Sequence, residues 1–343
     1  MHTPQSPIAS RGQTLVEQAA EALRRLALNE QAKELFCHHP QYRAHMHRVA
    51  RRYVAGRTID DALECALAIA ARGHAVSHEY TGESVRDALR ANAEAEVFLA
   101  LIAALDARRQ AASISLDLSH VGSLVDPELA YQNICRIARA AAAQEREVMI
   151  SAEGSDRADV THAIYIRLHE EAKLHHVGIT LQARLHRAAS DLARLMPYPG
   201  RIRLVKGAFL ESTAVAWPRN STQVQHSFRH MARELLASGQ RCAIATHDRE
   251  IQQELAHFIT QRHLEHHDYE FESLIGLGTE QIDSLQRQGL RTREYAIFGE
   301  EYFLYVLNRI AEEPTRLFQA LLDITDDITD GITDGASGDI APA

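Results

Sequence analysis

Eight short runs of apolar or β-branched residues alternate with helical segments over about 230 residues of this 343-residue chain. The runs cover residues 74–80, 112–119, 147–153, 178–183, 201–208, 242–247, 269–276 and 293–299. Eight strands that alternate with helices are typical of a (β/α)8 barrel. The alternative is an open doubly wound sheet, which usually carries GxGxxG after its first strand. The nearest match, Gly276-Leu277-Gly278, lacks the third glycine, so we predict an α/β protein with a (β/α)8 TIM-type barrel.

Local signals place helices between these runs. Asp126 is a good N-cap and Pro127 suits the first helical position, so a helix is predicted to begin there. Further helices are predicted over residues 160–175 and 227–238, and residues 14–72 are rich in helix-forming residues.

Composition suggests three regions along the chain. We predict a helical N-terminal extension over residues 1–72, the barrel over residues 73–321 and an acidic tail over residues 322–343. The tail repeats a four-residue ITD(D/G) unit and carries no basic residue, which predicts disorder. Its six aspartates account for most of the net charge of −9. Because no basic face dominates the rest, we expect no nucleic-acid partner.

Several absences indicate the compartment. No apolar run of about 18 residues predicts a transmembrane helix, and the start, MHTPQSPIASRGQ, lacks the apolar stretch of a signal peptide. The four cysteines lie far apart without a CxxC pair, which suits a reducing cytosol. The histidine clusters lie in polar helical stretches without a nearby set of several cysteine or aspartate ligands. We therefore expect a cytoplasmic protein without a metal site.

The segment RLVKGAF (203–209), which overlaps the fifth run, carries the least usual pattern. Arg203 and Lys206 lie three residues apart on an apolar strand, and Gly207 follows where backbone can approach a ligand closely. A planar, electron-rich ligand with a phosphate tail would suit this segment. Alternatively, both cations pair with carboxylates on neighbouring strands, and the sequence leaves the two interpretations open.

Other strand ends add candidate groups, because barrel enzymes hold functional residues at the C-terminal ends of their strands. These ends carry Asp117, Glu153, Gln182, Lys206, Thr246–His247–Asp248 and Glu270–Glu272. By position alone, Glu153 and Glu270 would be a carboxylate pair for glycoside cleavage.

The last predicted helix presents Tyr302, Tyr305, Arg309 and Glu312 on one face. A tyrosine beside an arginine can hold a small carboxylate. Spacing alone favours the alternative, in which Arg309 pairs with Glu313 on the surface beside a core tyrosine.

These segments resemble the proline dehydrogenase family in order along nearly the whole chain. RLVKGAF (203–209) is similar to the family's RLVKGAY, and ATHD (245–248) to its ATHN. Further matches are LRRLALNEQAKELF (23–36), RRYVAGRTIDDAL (51–63), YTGES (80–84), GITLQA (178–183), EFESLIG (270–276) and YAIFGEEYFLYVLNRIAE (295–312).

The resemblance implies an FAD-binding barrel whose last helix lies over the substrate. In the family, hydride passes from the carbon beside the ring nitrogen of proline to the flavin, which gives 1-pyrroline-5-carboxylate. A membrane quinone then reoxidises the flavin, so contact with the inner membrane face is expected to be peripheral.

Carried over by position, the implied flavin contacts are Gln182, Arg203, Val205, Lys206, Gly207, Ala208, Thr246, His247 and Glu312. The implied substrate pocket contains Asp117, Ala208, Leu274, Tyr295, Tyr305, Asn308 and Arg309. The residues implied in catalysis are Arg203, Tyr295, Tyr305 and Arg309.

Four positions depart from the family's pattern. Asp117 replaces a lysine, Ser151 an aspartate, Phe209 a tyrosine and Asn308 the first of two arginines. The flavin set is thus retained while the charge of the substrate set falls from +2 to zero. Three hypotheses follow: oxidation of L-proline, the same chemistry on another cyclic secondary amine or amino acid, or a flavin-binding homologue without turnover.

Overall fold

The computed structural model describes residues 14–82 and 84–325 and divides them into two compact units. One unit is Val54–Glu300, and the other contains the described residues before and after it. The helices are α1 (Leu15–Ala27), α2 (Glu30–His38), α3 (Pro40–Ala50), α4 (Ile59–Ala71), α5 (Ala88–Ala107), α6 (Pro127–Ala142), α7 (Ala158–Glu170), α8 (Ala188–Leu195), α9 (Thr222–Ser238), α10 (Arg249–Arg262), α11 (Thr279–Arg287) and α12 (Phe303–Glu312).

The larger unit is a closed barrel of eight parallel strands. The strands are β1 (Ala75–Tyr80), β2 (Ser113–Leu116), β3 (Val148–Ile150), β4 (Val177–Gln182), β5 (Ile202–Val205), β6 (Cys242–Ala245), β7 (Tyr269–Leu274) and β8 (Thr292–Phe298). Each strand pairs with the next, and β1 pairs with β8, with Ser77 opposite Tyr295. This closure confirms the predicted barrel and excludes the open sheet.

Each of the eight predicted runs overlaps a strand, but helix ends were predicted less well. Asp126 caps α6 and Pro127 begins it, as predicted. The helix predicted over residues 160–175 ends earlier, at Glu170, because Lys173 adopts a left-handed conformation before β4. The helix predicted from residue 227 begins at Thr222, because the Ser221 hydroxyl caps it by accepting from the Val224 amide.

Strand pleating separates an apolar layer from a polar barrel interior. On β2, Ile114 and Leu116 join the apolar core, whereas the Ser115 hydroxyl hydrogen-bonds that of Ser77 at 2.8 Å. Polar side chains therefore line the interior, where a ligand at the C-terminal mouth would meet them.

Ion pairs occupy the opposite, N-terminal end of the barrel. Arg201, just before β5, pairs with Glu147 at 3.1 Å and Asp268 at 3.0 Å. Arg293 of β8 pairs with Glu270 of β7 at 2.7 Å. Glu270 thus lies at the end away from Glu153, which follows β3, so the proposed glycoside pair is wrong.

The smaller unit contains α1, α2, α3, α12 and a further helical segment over residues 316–325. Arg24 of α1 donates to the carbonyl of Ala311 in α12 at 3.2 Å. Arg52 and Asp323 form a bidentate pair, with the shorter contact 2.6 Å. Most of the predicted acidic tail, from residue 326 onward, lies outside the described residues, and the three-part domain division stays a prediction.

Candidate active site

Arg203 lies at the centre of a hydrogen-bonded chain inside the barrel. Its Nε donates to Glu272 of β7 at 2.9 Å, and one terminal nitrogen donates to the Ser115 hydroxyl at 3.1 Å. The guanidinium carbon lies 4.9 Å from the centre of the Tyr295 ring, within cation–π range. Arg203 is 4 % and Glu272 2 % exposed. These hydrogen bonds fix the Arg203 guanidinium against the face of the Tyr295 ring.

Burial dominates the electrostatics of this ion pair. It raises the pKa of Glu272 above its usual value, although the Arg203 guanidinium opposes the rise. The alternative interpretation of the fifth run, pairing with a carboxylate of another strand, is therefore what the structure shows for Arg203.

Lys206 also has a carboxylate partner. Its ammonium lies 2.7 Å from Asp248, the residue that caps α10 through the amides of Glu250 and Ile251. Although burial opposes it, the bonds from Lys206 and the Ile251 amide hold the pKa of Asp248 below its usual value. Both cations of the fifth run are thus held in place by acidic groups.

Gly207 follows Lys206 in a conformation that other residues rarely adopt. Its φ is +104°, and an added Cβ would lie 2.8 Å from Cγ of Arg184 and 3.1 Å from Oε1 of Gln182. Glycine is therefore required for both the backbone turn and the close approach of these side chains.

In the side-chain amide of Gln182, the last residue of β4, the nitrogen is hydrogen-bonded and the oxygen is not. Its Nε2 donates to the carbonyl of Glu153 at 2.8 Å. Its Oε1 is buried and accepts no hydrogen bond from the residues that the structure describes. A buried acceptor without a donor is costly unless a ligand supplies one.

The loop after β6 brings two further predicted residues together with β7. The Leu274 amide donates to Nε2 of His247 at 3.1 Å. The Thr246 hydroxyl accepts from the Asp248 amide at 3.2 Å. A neutral His247 that accepts at Nε2 carries its proton on Nδ1.

Carboxyl groups gather at the ends of β1, β2 and β3. Glu79 of β1, which sequence analysis missed, accepts hydrogen bonds from the hydroxyls of Tyr295 and Ser151. Glu79 could have been predicted as a site residue from the sequence, because it lies next to the last residue of the first predicted strand. Burial and the Glu79 charge raise the pKa of Tyr295 well above its usual value, so its hydroxyl stays protonated and donates. Asp117, just after β2, is half-buried beside this pair.

The remaining predicted residues lie on α12 or on the loop after β5. Arg309 pairs with Glu312 at 2.8 Å, and its guanidinium carbon lies 5.2 Å from the centre of the Tyr305 ring. The expected pair with Glu313 is wrong, because Glu313 pairs with Arg316 at 3.0 Å. Ala208 and Phe209 are exposed after β5, Val205 is half-buried, and Asn308 is half-buried on α12.

Comparison with known proteins decides the family. A sequence model of proline dehydrogenase matches residues 62–316, most of the chain. The chain belongs to the proline dehydrogenase family. Proline dehydrogenase 1 of Bacillus subtilis (strain 168) is 32% identical over 265 residues, 77% of this chain and 87% of that protein. Proline dehydrogenase of Deinococcus radiodurans is 30% identical over 275 residues, 79% of this chain and 88% of that protein.

A solved structure shares the fold of this proline dehydrogenase family member. It is proline utilization A (PutA) from Bdellovibrio bacteriovorus, with a TM-score of 0.74 and 18% identity. The match covers 86% of this chain and 36% of that one, so the chain spans about a third of the length of PutA.

Proline dehydrogenases are flavin-dependent oxidoreductases that act on the CH–NH group of proline. Within residues 14–82 and 84–325, no helix combines the length and hydropathy that crossing a bilayer requires.

Proposed function

We propose that this chain is an FAD-dependent proline dehydrogenase. It would take a hydride from the carbon beside the ring nitrogen of L-proline and release 1-pyrroline-5-carboxylate. Family membership over residues 62–316 carries the proposal, and the retained RLVKGAF strand supports it.

The residues at the barrel mouth fit a flavin. The unsatisfied Oε1 of Gln182 can accept from a ring N–H, and the absence of a Cβ at Gly207 lets the backbone after β5 pass close to this oxygen. The residues that would hold FAD are Gln182, Arg203, Val205, Lys206, Gly207, Ala208, Thr246, His247 and Glu312. When bound, the flavin accepts the hydride.

Arg203 would act through its charge. Its guanidinium is buried and fixed by Glu272 and Ser115, so it cannot turn away when negative charge develops nearby. A fixed cation in a dry site stabilises such charge without reorganising. Glu272 offsets part of this effect because the two groups are 2.9 Å apart.

Tyr295 and Leu274 would shape the wall of the substrate pocket that the barrel supplies. The Tyr295 hydroxyl is anchored on Glu79, and its ring lies against Arg203, so the ring has one fixed orientation. Asp117 and Ala208 complete this wall in the proposal.

Tyr305, Asn308 and Arg309 of α12 are the proposed substrate contacts outside the barrel. Arg309 would bind the carboxylate of the substrate, as arginine suits a planar oxygen pair. Its Nε is buried without a hydrogen bond from the described residues, which leaves a donor for such a ligand.

A quinone is the electron acceptor in this proposal, and the enzyme would be cytoplasmic with peripheral contact at the inner membrane face. This part follows from the family resemblance. Steady-state turnover with a short-chain ubiquinone analogue tests the electron acceptor. If L-proline reduces the flavin but the reduced enzyme does not reduce the quinone, a quinone is not the acceptor.

Anaerobic reduction of the flavin tests the function. Purified protein should be yellow, and L-proline added without oxygen should bleach its flavin bands. A protein that cannot be reconstituted with FAD would be neither a proline nor an amine dehydrogenase. Bleaching by another cyclic secondary amine but not by L-proline would favour the altered-substrate hypothesis.

A further inference from the structure

We propose that Asp117 is the cation-binding group of the substrate pocket, so that the positive charge on the ring nitrogen of a cyclic amine contributes more to binding than a carboxylate does. This inference rests on the proposed function, because it assigns a substrate preference to the same site. It concerns the ends of β1, β2 and β3, which all belong to the barrel unit.

The charge at these three strand ends is unbalanced. Glu79 lies opposite Ser115 of β2, and Glu153 accepts from the Ser119 amide, so both carboxyl groups flank the segment that carries Asp117. Burial and the charges of these two groups raise the pKa of Asp117, and Arg157 opposes the rise. Arg157 is already bonded to Glu153 at 2.5 Å. Arg203 is engaged by Glu272, so it does not supply the missing charge.

Asp117 differs from its two acidic neighbours in its hydrogen bonds. Glu79 accepts from two hydroxyls, and Glu153 accepts from the Ser119 amide at 3.1 Å. Within residues 14–82 and 84–325, no donor forms a hydrogen bond to the carboxyl group of Asp117. It is also only half-buried, so a small molecule can reach it.

The position of Asp117 directs it toward the reacting ligand. It follows Leu116, the last residue of β2, at the end of the barrel where Gln182 and Gly207 also lie. Tyr295, which would line the substrate pocket, donates to Glu79 beside it. A carboxyl group with no partner at this place can bind the ammonium form of an amine.

The electrostatics of Asp117 predicts how the affinity for a cationic amine changes with pH. Burial, followed by the charges of Glu79 and Glu153, raises the pKa of Asp117 well above its usual value, and Arg157 partly opposes this. An ammonium group binds the ionised form, so it displaces the proton when Asp117 is protonated. Binding of a cationic amine should therefore weaken as the pH falls.

Calorimetric titration of the FAD-loaded protein tests the preference without turnover. The probes are pyrrolidine, L-prolinamide, L-proline and tetrahydrofuran-2-carboxylate, which run from cation to anion on one ring size. We expect pyrrolidine and L-prolinamide to bind about tenfold more tightly than tetrahydrofuran-2-carboxylate, which carries no ammonium group. Tighter binding of the anion than of pyrrolidine would overturn the inference.

Asp117→Asn keeps the shape and removes the charge. It should weaken pyrrolidine binding about tenfold and leave or improve binding of tetrahydrofuran-2-carboxylate. The matched control is Asp106→Asn on the exposed face of α5, which should change neither. Unchanged pyrrolidine binding in Asp117→Asn would contradict the role of Asp117.

Failure of this inference is distinguishable from failure of the function. If L-proline bleaches the flavin of wild type while Asp117→Asn changes the affinity for no ligand, the proposed dehydrogenase function is retained and Asp117 has no selective role. If no amine bleaches the flavin, the function fails, whereas the ligand ranking by calorimetry still decides whether Asp117 binds cations.

Discussion

Arg203 of β5 and Tyr295 of β8 meet inside the barrel, with the guanidinium carbon 4.9 Å from the ring centre. The strands that carry them are not neighbours, so the contact crosses the interior. Glu272 holds the cation from one side, and Glu79 holds the Tyr295 hydroxyl from the other. Two carboxylates thus fix the aromatic and cationic groups that the proposed active site needs.

Arg203→Met should destabilise the protein strongly. The substitution leaves Glu272 buried without its partner, and breaking a buried ion pair costs about 3–5 kcal/mol. Equilibrium denaturation should show a lower free energy of unfolding. In the double variant Arg203→Met/Glu272→Leu, most of this loss should be recovered. Equal stability of Arg203→Met and wild type would show that the pair is not formed.

The barrel was predictable because its signals are local. Each strand is a short apolar or β-branched run, and Asp126 with Pro127 marks a helix start by its own chemistry. The end of α7 was missed because residues 171–176 favour helix by composition, yet Lys173 must turn left-handed to let β4 begin. Tertiary constraints override propensity at such ends.

The site was predictable only in part. The cations of the fifth run were visible, but their partners depend on closure of the barrel: Arg203 and Glu272 are 69 residues apart in sequence. Glu79 was missed for the same reason, since its partners Tyr295 and Ser151 come from β8 and from the loop after β3. The spacing of residues along the sequence does not predict which side chains pair across a closed barrel.

His78 of β1 should make the protein less stable in acid. Burial lowers the pKa of His78 to about 4, against an opposing contribution from the backbone of Ala296. In the unfolded chain the pKa of histidine is near 6.5, so the unfolded state takes up the proton first as the pH falls. The free energy of unfolding is therefore unaffected by His78 above pH 6.5 and decreases progressively between pH 6.5 and 4. The loss attributable to His78 is about 3 kcal/mol at most.

Denaturation at several pH values measures this contribution. His78→Leu should flatten the fall in unfolding free energy between pH 6.5 and 4. His257→Leu, which replaces an exposed histidine on α10, should leave the fall unchanged. Identical pH profiles for His78→Leu and wild type would remove His78 as the cause.

Arg309→Ala should raise the KM for L-proline sharply, by at least about tenfold, if the guanidinium binds the substrate carboxylate. The KM of pyrrolidine, which has no carboxylate, should change little. Glu313→Gln is the matched control, because it removes the neighbouring carboxylate that pairs with Arg316, and it should leave the KM for L-proline unchanged. An Arg309→Ala enzyme with unchanged KM for L-proline would exclude carboxylate binding.

Asn308→Arg should improve turnover of L-proline. The substitution adds a cation next to Arg309 in the sequence, and a second cation would favour a substrate that carries a carboxylate in the proposed pocket. The expected change is a higher kcat/KM for L-proline and a lower one for pyrrolidine in steady-state assays. A parallel change for both substrates would mean that pocket charge is not limiting.

FAD titration of wild type and of Gly207→Ala measures how well the barrel mouth fits the flavin. An alanine at φ +104° would be strained and would press on Arg184 and Gln182, so FAD should bind at least about tenfold more weakly. Gly289→Ala, at φ +83° with nothing within 4 Å of its Cβ, should keep wild-type FAD affinity. Equal FAD affinity in Gly207→Ala and Gly289→Ala, or no FAD binding by wild type, would show that the flavin does not bind at the barrel mouth.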